Sequence, residues 1–175
     1  MRRLALWAAL AATPAWAVTW QVGPTRIITQ PGLVNAMPGD VIELDGNATY
    51  NPTQWTRSGA AGNPITLRGI TVSGQRAKFS GGTNTLEIFA NHVVVENVEL
   101  TAGTFRCFYM HGNEVTLRDS VVHDCPKHGI LGADQDSGNF LLESVEVFNC
   151  GGGTSDHSIY MATDEVTYPG SVFRM

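Results

Sequence analysis

The sequence predicts an all-β fold, a right-handed single-stranded parallel β-helix in which short strands stack coil upon coil. Three observations support this prediction. Short runs of Val, Ile, Leu and Thr are punctuated by Gly, Asn, Asp and Pro, and 19 of the 175 residues are Gly. Helical periodicity is never sustained beyond about two turns. Finally, short strand-like segments recur at intervals of 22 to 29 residues.

The N-terminal residues have the pattern of a secretory signal peptide. Arg2 and Arg3 precede an unbroken apolar run over residues 4–12, and Ala15 and Ala17 form a small-x-small cleavage pattern. The apolar run is too short to span a bilayer. We therefore expect cleavage after Ala17 and a secreted or periplasmic mature protein that does not associate with membranes.

The charge balance argues against one class of partner. The chain has 11 basic and 16 acidic residues, and cleavage after Ala17 leaves nine basic residues and a net charge near −7. Nucleic acid is excluded as a partner because phosphate binding needs a basic surface. The acidic balance also disfavours an anionic polysaccharide, unless a metal ion bridges the two. A monomer is expected.

An internal repeat predicts how the coils stack. Residues 95–100 align with 117–122 and 142–147, at offsets of 22 and 25. A second strand follows each segment, at 108–110, 130–132 and 159–161. A repeat of this length that holds only short strands is typical of one solenoid coil. A β-sandwich would need hairpin turns such as Asn-Gly, and the repeats contain none.

The alignment assigns side chains to the inside, the outside and the bends of each coil, because alternate residues of a strand point to opposite faces. The predicted inner stacks are Val95, Leu117 and Leu142; Val98, Ser120 and Val145; and Leu100, Val122 and Val147. The predicted outer column, a ladder of alternating charge, is Glu96, Arg118 and Glu143. The predicted bend residues are Asn97, Asp119 and Ser144.

Three cysteines remain after cleavage, Cys107, Cys125 and Cys150. The repeat places Cys125 and Cys150 on adjacent coils, with Cα atoms about 4.8 Å apart. Export permits a disulfide. The sequence therefore leaves two possibilities open: a Cys125–Cys150 bridge that joins two coils, or two reduced thiols stacked in the core.

Several segments resemble a known group of proteins. Residues 38–44, which begin Pro38-Gly39-Asp40, and residues 58–69 resemble the opening of secreted β-helix proteins of the pectate-lyase-like superfamily, in the style of its chondroitinase B and alginate lyase branch. Residues 123–130 and 157–161 resemble bacterial right-handed parallel β-helix repeat proteins. The resemblance is specific for fold rather than activity, because this fold carries lyases, hydrolases, epimerases and adhesins.

The resemblance also implies a division of the chain. In such proteins the stretch before Pro-Gly-Asp caps the N-terminal end of the solenoid. We predict a signal peptide at 1–17, an N-terminal cap at 18–40 and β-helix coils at 41–175. Residues 171–175 have the pattern of a strand with no cap after it, and related proteins are usually longer. The chain is therefore expected to be truncated, with C-terminal coils missing.

One column of titratable residues is the candidate catalytic site. Arg106, His128 and His157 each lie just before a strand of the second set, and Lys127 lies beside them. A polysaccharide lyase needs a cation that neutralises the sugar carboxylate and a His, Lys or Tyr that abstracts the neighbouring proton. The alternative is that these are solvated turn residues kept in register by the repeat.

Two further sets of residues are candidates for binding. Tyr109 and Tyr160 are predicted to point outward and to stack on sugar rings, or else to fill an ordinary strand surface. Asp134 and Asp136 form an acidic loop that could hold calcium, although plain turns often have this composition. A carboxylate pair for glycoside hydrolysis could come from Asp134 and Asp164.

The favoured function is that of an exported, polysaccharide-processing enzyme, a lyase or else a glycoside hydrolase. Its partner would be an extracellular polysaccharide, either uronic-acid-containing or of another kind. One alternative is a non-catalytic solenoid that binds carbohydrate or serves as a surface adhesin. The other is an inactive truncated fragment.

Overall fold

The computed structural model describes residues 17–23, 35–132 and 137–161, together with the backbone of 172–174. These residues form 17 strands. In chain order they are β1 (Thr19–Val22), β2 (Val41–Asp45), β3 (Thr49–Tyr50), β4 (Thr53–Trp55), β5 (Ile65–Ile70), β6 (Ala77–Ser80), β7 (Asn84–Ile88), β8 (Val93–Glu96), β9 (Val98–Thr101), β10 (Arg106–Met110), β11 (Val115–Arg118), β12 (Val121–Cys125), β13 (His128–Gly132), β14 (Leu141–Glu143), β15 (Glu146–Cys150), β16 (Ile159–Met161) and β17 (Val172–Arg174).

The strands pair in parallel and form three sheets. Sheet I has the order β1-β2-β5-β8-β11-β14-β17, sheet II the order β3-β6-β9-β12-β15, and sheet III the order β4-β7-β10-β13-β16. Each coil contributes one strand to each sheet, as β8, β9 and β10 do. This stack of about five coils confirms the predicted fold class, a parallel β-helix.

The register inferred from the repeat is also confirmed. Leu117 pairs with Val95 on one side and with Leu142 on the other. All three side chains are fully buried in one continuous core. Burying a side chain of this size contributes about 1.5–3 kcal/mol relative to leaving it exposed. The inner stack therefore supplies much of the energy that holds neighbouring coils together.

The only polar member of the predicted inner stacks, Ser120, is satisfied within the chain. Its hydroxyl donates to the Arg118 carbonyl at 2.7 Å and accepts from the Val98 amide at 3.2 Å. A buried hydroxyl without partners would be costly, and these two bonds remove that cost.

The bends between sheets I and II fall where the repeat predicts. Asn97, Asp119 and Ser144 have positive φ values of 54°, 50° and 53° respectively. Asn and Asp tolerate this left-handed conformation better than most residues because their side chains bond locally to backbone. The Asn97 side chain also joins two coils, because its amide donates to the Gly69 carbonyl of the preceding coil at 2.6 Å.

The outer ladder of sheet I is confirmed in register but is less exposed than predicted. Glu96 pairs with Arg118, and Arg118 with Glu143. Glu96 is only 8% exposed, because the guanidinium groups of Arg68 and Arg118 both close over its carboxylate. The charge of Glu96 is thus neutralised within the chain.

The predicted cysteine pairing is wrong. The disulfide joins Cys107 of β10 to Cys125 of β12, with Cα atoms 6.0 Å apart, and Cys150 is a free thiol. Cys125 and Cys150 are in register as expected. However, in-register side chains point the same way and stay about 4.8 Å apart, whereas disulfide Cβ atoms lie about 3.5–4.5 Å apart. Cys107 lies on sheet III and Cys125 on sheet II, so their side chains converge inside the coil.

Asp40 fastens the N-terminal segment to the first coils. Its carboxylate accepts from the Val18 amide at 2.8 Å, the Trp20 indole at 3.0 Å and the Met37 amide at 2.9 Å. Although burial favours the neutral acid, these bonds hold the pKa of Asp40 below its ordinary value. The proposed cap at 18–40 stays a prediction.

Two predictions fall wholly or largely outside the described residues. The signal peptide covers 1–17, of which the structure describes only Ala17. The acidic residues Asp134, Asp136 and Asp164 are also outside. Within the described ranges, no helix has the length and apolar character needed to cross a membrane.

Candidate functional site

The candidate catalytic residues come together on the outer face of sheet III. Arg106 pairs with Asn84 of β7 and with His128 of β13. His157 precedes β16, and its ring stacks on that of His128 with centroids 5.8 Å apart and planes 12° apart. The repeat thus forms the predicted column of one cation and two imidazoles on successive coils.

Arg106 is a cation held by aromatic faces. Its guanidinium carbon lies 4.1 Å from the Phe105 ring centroid and 4.2 Å from that of Tyr109. Its Nη1 donates to the Asn84 side chain at 3.3 Å, and its Nε is buried without a hydrogen-bond partner in the described part of the chain. A guanidinium on ring faces keeps its full charge for a ligand.

Lys127 adds a second cation at the same place. Its ammonium lies 5.0 Å from the centroid of the Phe105 ring, on which Arg106 also rests. Among the residues that the structure describes, neither Arg106 nor Lys127 forms an ion pair. Two uncompensated cations over one aromatic ring favour the binding of an anion.

His128 is biased towards its neutral form. Partial burial lowers the pKa of His128, and the charges of Arg106, His157 and Lys127 lower it further against the opposing effect of Asp156. Its Nδ1 accepts from the His157 amide at 3.2 Å. In this arrangement Nε2 carries the hydrogen of the neutral ring, so His128 is a hydrogen-bond donor at Nε2.

The two predicted tyrosines share one register position but have different surroundings. Leu131 pairs with Tyr109 on one side and Tyr160 on the other. Tyr109 packs on the His111 ring at 3.7 Å between centroids. Tyr160 is 41% exposed and lies 5.0 Å from the His157 ring. Leu131 itself is only 5% exposed, so the aromatic surface is interrupted between them.

Sequence reasoning missed Phe89, Phe105 and His111, which complete a longer series of contacts. Phe89 stacks on His111 with centroids 4.0 Å apart, and the Phe105 ring meets His128 edge-on at 5.5 Å. We call the whole series the aromatic–cation ribbon; its members, in order of contact, are Phe89, His111, Tyr109, Arg106, Phe105, His128, His157 and Tyr160. His111 had a detectable signal, because it lies two residues after the outward Tyr109.

A carboxylate lies beside the ribbon at its N-terminal end. Glu87 accepts from Gln54 at 2.8 Å, from Asn84 at 2.9 Å and contacts the His111 Nε2 at 3.0 Å. Burial alone would favour the neutral acid, but the bonds from His111, Gln54 and Asn84 hold the pKa of Glu87 below its ordinary value. Glu87 is therefore an ionised, nearly buried group next to the cations.

A different histidine cluster lies on sheet II. His123 contacts Glu99 through Nε2 at 2.9 Å and Asp124 through Nδ1 at 2.8 Å, and its ring stacks on Phe148 at 5.0 Å. Lys78 also pairs with Glu99, at 2.7 Å. These charges are compensated within the chain, whereas Arg106 and Lys127 have no ion-pair partner in the part of the chain that the structure describes.

A metal site would need His, Cys, Asp or Glu side chains that converge. Within the described ranges, no three His, Cys, Asp or Glu side chains converge in a way that could hold a metal ion. The predicted calcium ligands Asp134 and Asp136 fall outside those ranges, so calcium binding stays a prediction.

Comparisons with known proteins were made by sequence and by structure. No protein-family model matches the chain, and neither does any curated protein. The fold is similar to an alginate lyase from Paenibacillus sp. str. FPU-7, with a TM-score of 0.72 at 21% identity over 90% of this chain and 56% of that one. It is also similar to pectate lyase Pel9A, with a TM-score of 0.75 at 16% identity over 91% of this chain and 47% of that one.

A third solved structure is less similar. It is a mannuronic-acid-specific polysaccharide family 6 lyase from human gut microbiota, with a TM-score of 0.56 at 16% identity over 72% of this chain and 33% of that one. The chain therefore spans about half the length, or less, of these structures. At such identities the likeness concerns the fold. The chain has a parallel β-helix fold similar to that of these lyases.

Proposed function

We propose that the protein processes extracellular polysaccharides by a lyase-type elimination on a uronic acid residue bound at the aromatic–cation ribbon. The observation that carries this proposal is Arg106, a cation lying on two aromatic rings with no ion-pair partner in the described residues. Export to the periplasm or the medium, inferred from residues 1–17, would bring the protein to such glycans.

Arg106 and Lys127 would bind the carboxylate of the uronic acid. A guanidinium matches a carboxylate with two parallel N–H donors, and the ring faces beneath Arg106 fix its plane. In an elimination, negative charge moves onto this carboxylate as the neighbouring C–H bond breaks. Cations held in place beforehand stabilise that charge more strongly than water does.

His157 is the better candidate for the base. A neutral imidazole has one nitrogen that can accept a proton, and that of His128 already accepts from the His157 amide. The ring of His157 accepts no side-chain or backbone bond from the described residues. His157 would take the proton next to the carboxylate, and the freed electron pair would form a C=C bond. The glycosidic oxygen would leave with its bonding pair and take up a proton from water.

His128 and the aromatic rings would position the substrate. His128 would donate a hydrogen bond through Nε2, and the depression of its pKa keeps the ring neutral for this role. Tyr160 and Phe89, at the two ends of the ribbon, are 41% and 46% exposed, enough for sugar rings to stack on them. Two of the similar structures are named as alginate and pectate lyases, whose names indicate uronic acid polymers.

Turnover of defined polymers tests this proposal. The protein is incubated with alginate, pectate and glycosaminoglycans, with and without calcium, and the ultraviolet absorbance of unsaturated product is followed. We expect product from at least one polymer, and about a 10²–10⁴-fold loss of kcat in His157→Gln. His92→Gln, which alters a histidine outside sheet III, is the matched control. Absence of product from every polymer would rule out the lyase reaction.

A second candidate is a solenoid that binds glycans without cleaving them. The aromatic rings at both ends of the ribbon favour it, since stacking alone can hold a sugar polymer. Retained glycan binding in His128→Ala and His157→Ala, with no turnover by the unaltered protein, would favour this function over the lyase.

A further inference from the structure

A polar pocket lies at the N-terminal end of the aromatic–cation ribbon. Its volume is about 230 Å³, and its lining residues are Pro52, Thr53, Gln54, Thr83, Asn84 and Glu87. Gln54 and Glu87 occupy the same register position as Tyr109 on the preceding coils. A glycan bound across the strands at Arg106 would therefore extend directly into this pocket.

Asn84 marks the boundary between the pocket and the cations. Its side-chain oxygen accepts from Arg106 Nη1 at 3.3 Å, and its side-chain nitrogen donates to Glu87 at 2.9 Å. One amide thus faces a cation on one side and an anion on the other. The charge on the outer face of sheet III therefore changes sign at Asn84, from positive at Arg106 of β10 to negative at Glu87 of β7.

The pocket presents a negative charge without a basic Lys or Arg. None of its six lining residues is Lys or Arg, and Glu87 forms no bond to Arg106 among the described contacts. The His111 imidazole, 3.0 Å from Glu87, opposes its negative charge only when protonated. Apart from Pro52, the other lining side chains have amide and hydroxyl groups, which bind sugar hydroxyls well. A second carboxylate in this pocket would face Glu87 at short range, in a partly buried place where repulsion is poorly screened.

We propose that this pocket binds an uncharged sugar residue, so that the preferred glycan carries a uronic acid next to an uncharged sugar rather than a run of uronic acids. This inference rests on the proposed function, since it assumes that Arg106 holds the uronic acid. A polymer with a carboxylate on every sugar would then be a poorer ligand than one in which uronic acids and uncharged sugars alternate.

The test measures how Glu87→Gln changes the binding of two probes. Hexagalacturonate has a carboxylate on each sugar, and a hyaluronan hexasaccharide alternates a uronic acid with an N-acetylated, uncharged sugar. Affinities are measured by calorimetry at pH 8 and low ionic strength. We expect Glu87→Gln to tighten hexagalacturonate binding about tenfold and to change hyaluronan binding less than about twofold. For each probe, the affinity of the variant is compared with that of the unaltered protein, so differences between the two sugar backbones cancel.

Glu114→Gln is the matched control, because it removes one negative charge at the His92 pair, away from sheet III. It should leave the affinities for both probes unchanged. Thermal melting checks that each variant is folded. Should Glu87→Gln not fold, Thr83→Asp on the same pocket should weaken hexagalacturonate more than hyaluronan.

The outcomes separate the inference from the function on which it rests. Equal effects of the pocket variants on both probes, with binding by the unaltered protein, would overturn the inference and leave the proposed function standing. Failure of the unaltered protein and of every variant to bind either probe would overturn both.

Discussion

The outer faces of sheets I and III use charge in opposite ways. On sheet I, the register aligns Glu43, Arg68, Glu96, Arg118 and Glu143 in a column of alternating sign. Two arginines bind the central Glu96, and burial of that carboxylate is outweighed by their bonds, which lower the pKa of Glu96. On sheet III, Arg106 and Lys127 lie on aromatic rings instead.

This difference separates a structural surface, on sheet I, from the proposed binding surface on sheet III. A charge that is paired inside the chain strengthens the stack of coils and offers little to a ligand. A cation supported by rings keeps its attraction for anions and is held in a fixed orientation. The same repeat thus builds both faces, and the partners of the charges decide what each face does.

The largest expected effect comes from replacing Arg106 of sheet III and, in a separate variant, Arg118 of sheet I by methionine. Arg106→Met should weaken binding of a uronic-acid oligosaccharide about 10²–10³-fold, because a charge-assisted double hydrogen bond is lost in a desolvated place. Arg118→Met should leave that affinity within about twofold, since its guanidinium is already bound to Glu96. Calorimetric titration measures both. Equal losses in the two variants would contradict the distinction.

The disulfide gives the next largest effect and acts on sheet III through β10, the strand that carries Arg106. The bridge closes a separation of 18 residues, so Cys107→Ala should cost about 3 kcal/mol of the free energy of unfolding. Cys150→Ala should cost about 1 kcal/mol or less. Urea denaturation measures these losses. Peptide mapping without reductant should recover Cys107 linked to Cys125, and a Cys125–Cys150 peptide in its place would refute the assignment.

Removing the central charge of sheet I should have a smaller effect, on stability alone. Glu96→Gln should lower the free energy of unfolding by about 1–2 kcal/mol, because hydrogen bonds to two guanidinium groups are weakened, although both arginines are partly exposed. Glycan affinity should not change. Glu114→Gln, at a more exposed ion pair, should cost less than about 0.5 kcal/mol in the same urea titration. A loss of glycan binding in Glu96→Gln would show that sheet I takes part in recognition.

The smallest expected effects are changes in the free energy of unfolding with pH, in one pH range for sheet I and another for sheet III. Glu96 has a lowered pKa in the folded state, so its contribution to stability is present above the unfolded value near 4.5 and is lost as pH falls through the folded value. His128 also has a lowered folded pKa, so the unfolded chain binds its proton first. Stability then falls as pH drops below about 6.5, until the folded value is passed.

Each pH range should show a slope of at most about 1.4 kcal/mol per pH unit for one proton. In urea titrations between pH 3 and 8, His128→Gln should flatten the profile just below pH 6.5, and Glu96→Gln should flatten it below pH 4.5. A flattening in the same range for both variants would contradict the assignment of the shifts.

The repeat made the pairing of strands within each sheet predictable, whereas side-chain contacts between different sheets could not be predicted from it. Aligning 95–100 with 117–122 determined which residues of β8 and β11 pair, because register follows directly from repeat offset. The Cys107–Cys125 bridge depends on how sheets II and III face each other inside the coil. An offset between equivalent strands does not contain that information.

The candidate site was predictable to the same extent. The column of Arg106, His128 and His157 follows from the offsets of the second strands. Phe105 and Phe89 lie just outside the aligned segments, so their contacts with Arg106 and His111 depend on how the chain turns at each strand end. The charge of Arg106, which has no ion-pair partner among the described residues and carries the functional proposal, became visible only through those contacts.

The central claim is that glycans bind to sheet III and not to the other faces, and the five histidines report on it directly. His111, His128 and His157 lie on the ribbon, whereas His123 lies on sheet II and His92 beside sheet I. The measurement is the NMR spectrum of isotope-labelled histidine side chains during titration with whichever of hexagalacturonate and the hyaluronan hexasaccharide binds more tightly. We predict that the signals of the three ribbon histidines shift together while those of His92 and His123 stay in place. Saturable shifts of His92 or His123, with the ribbon signals unchanged, would contradict the account.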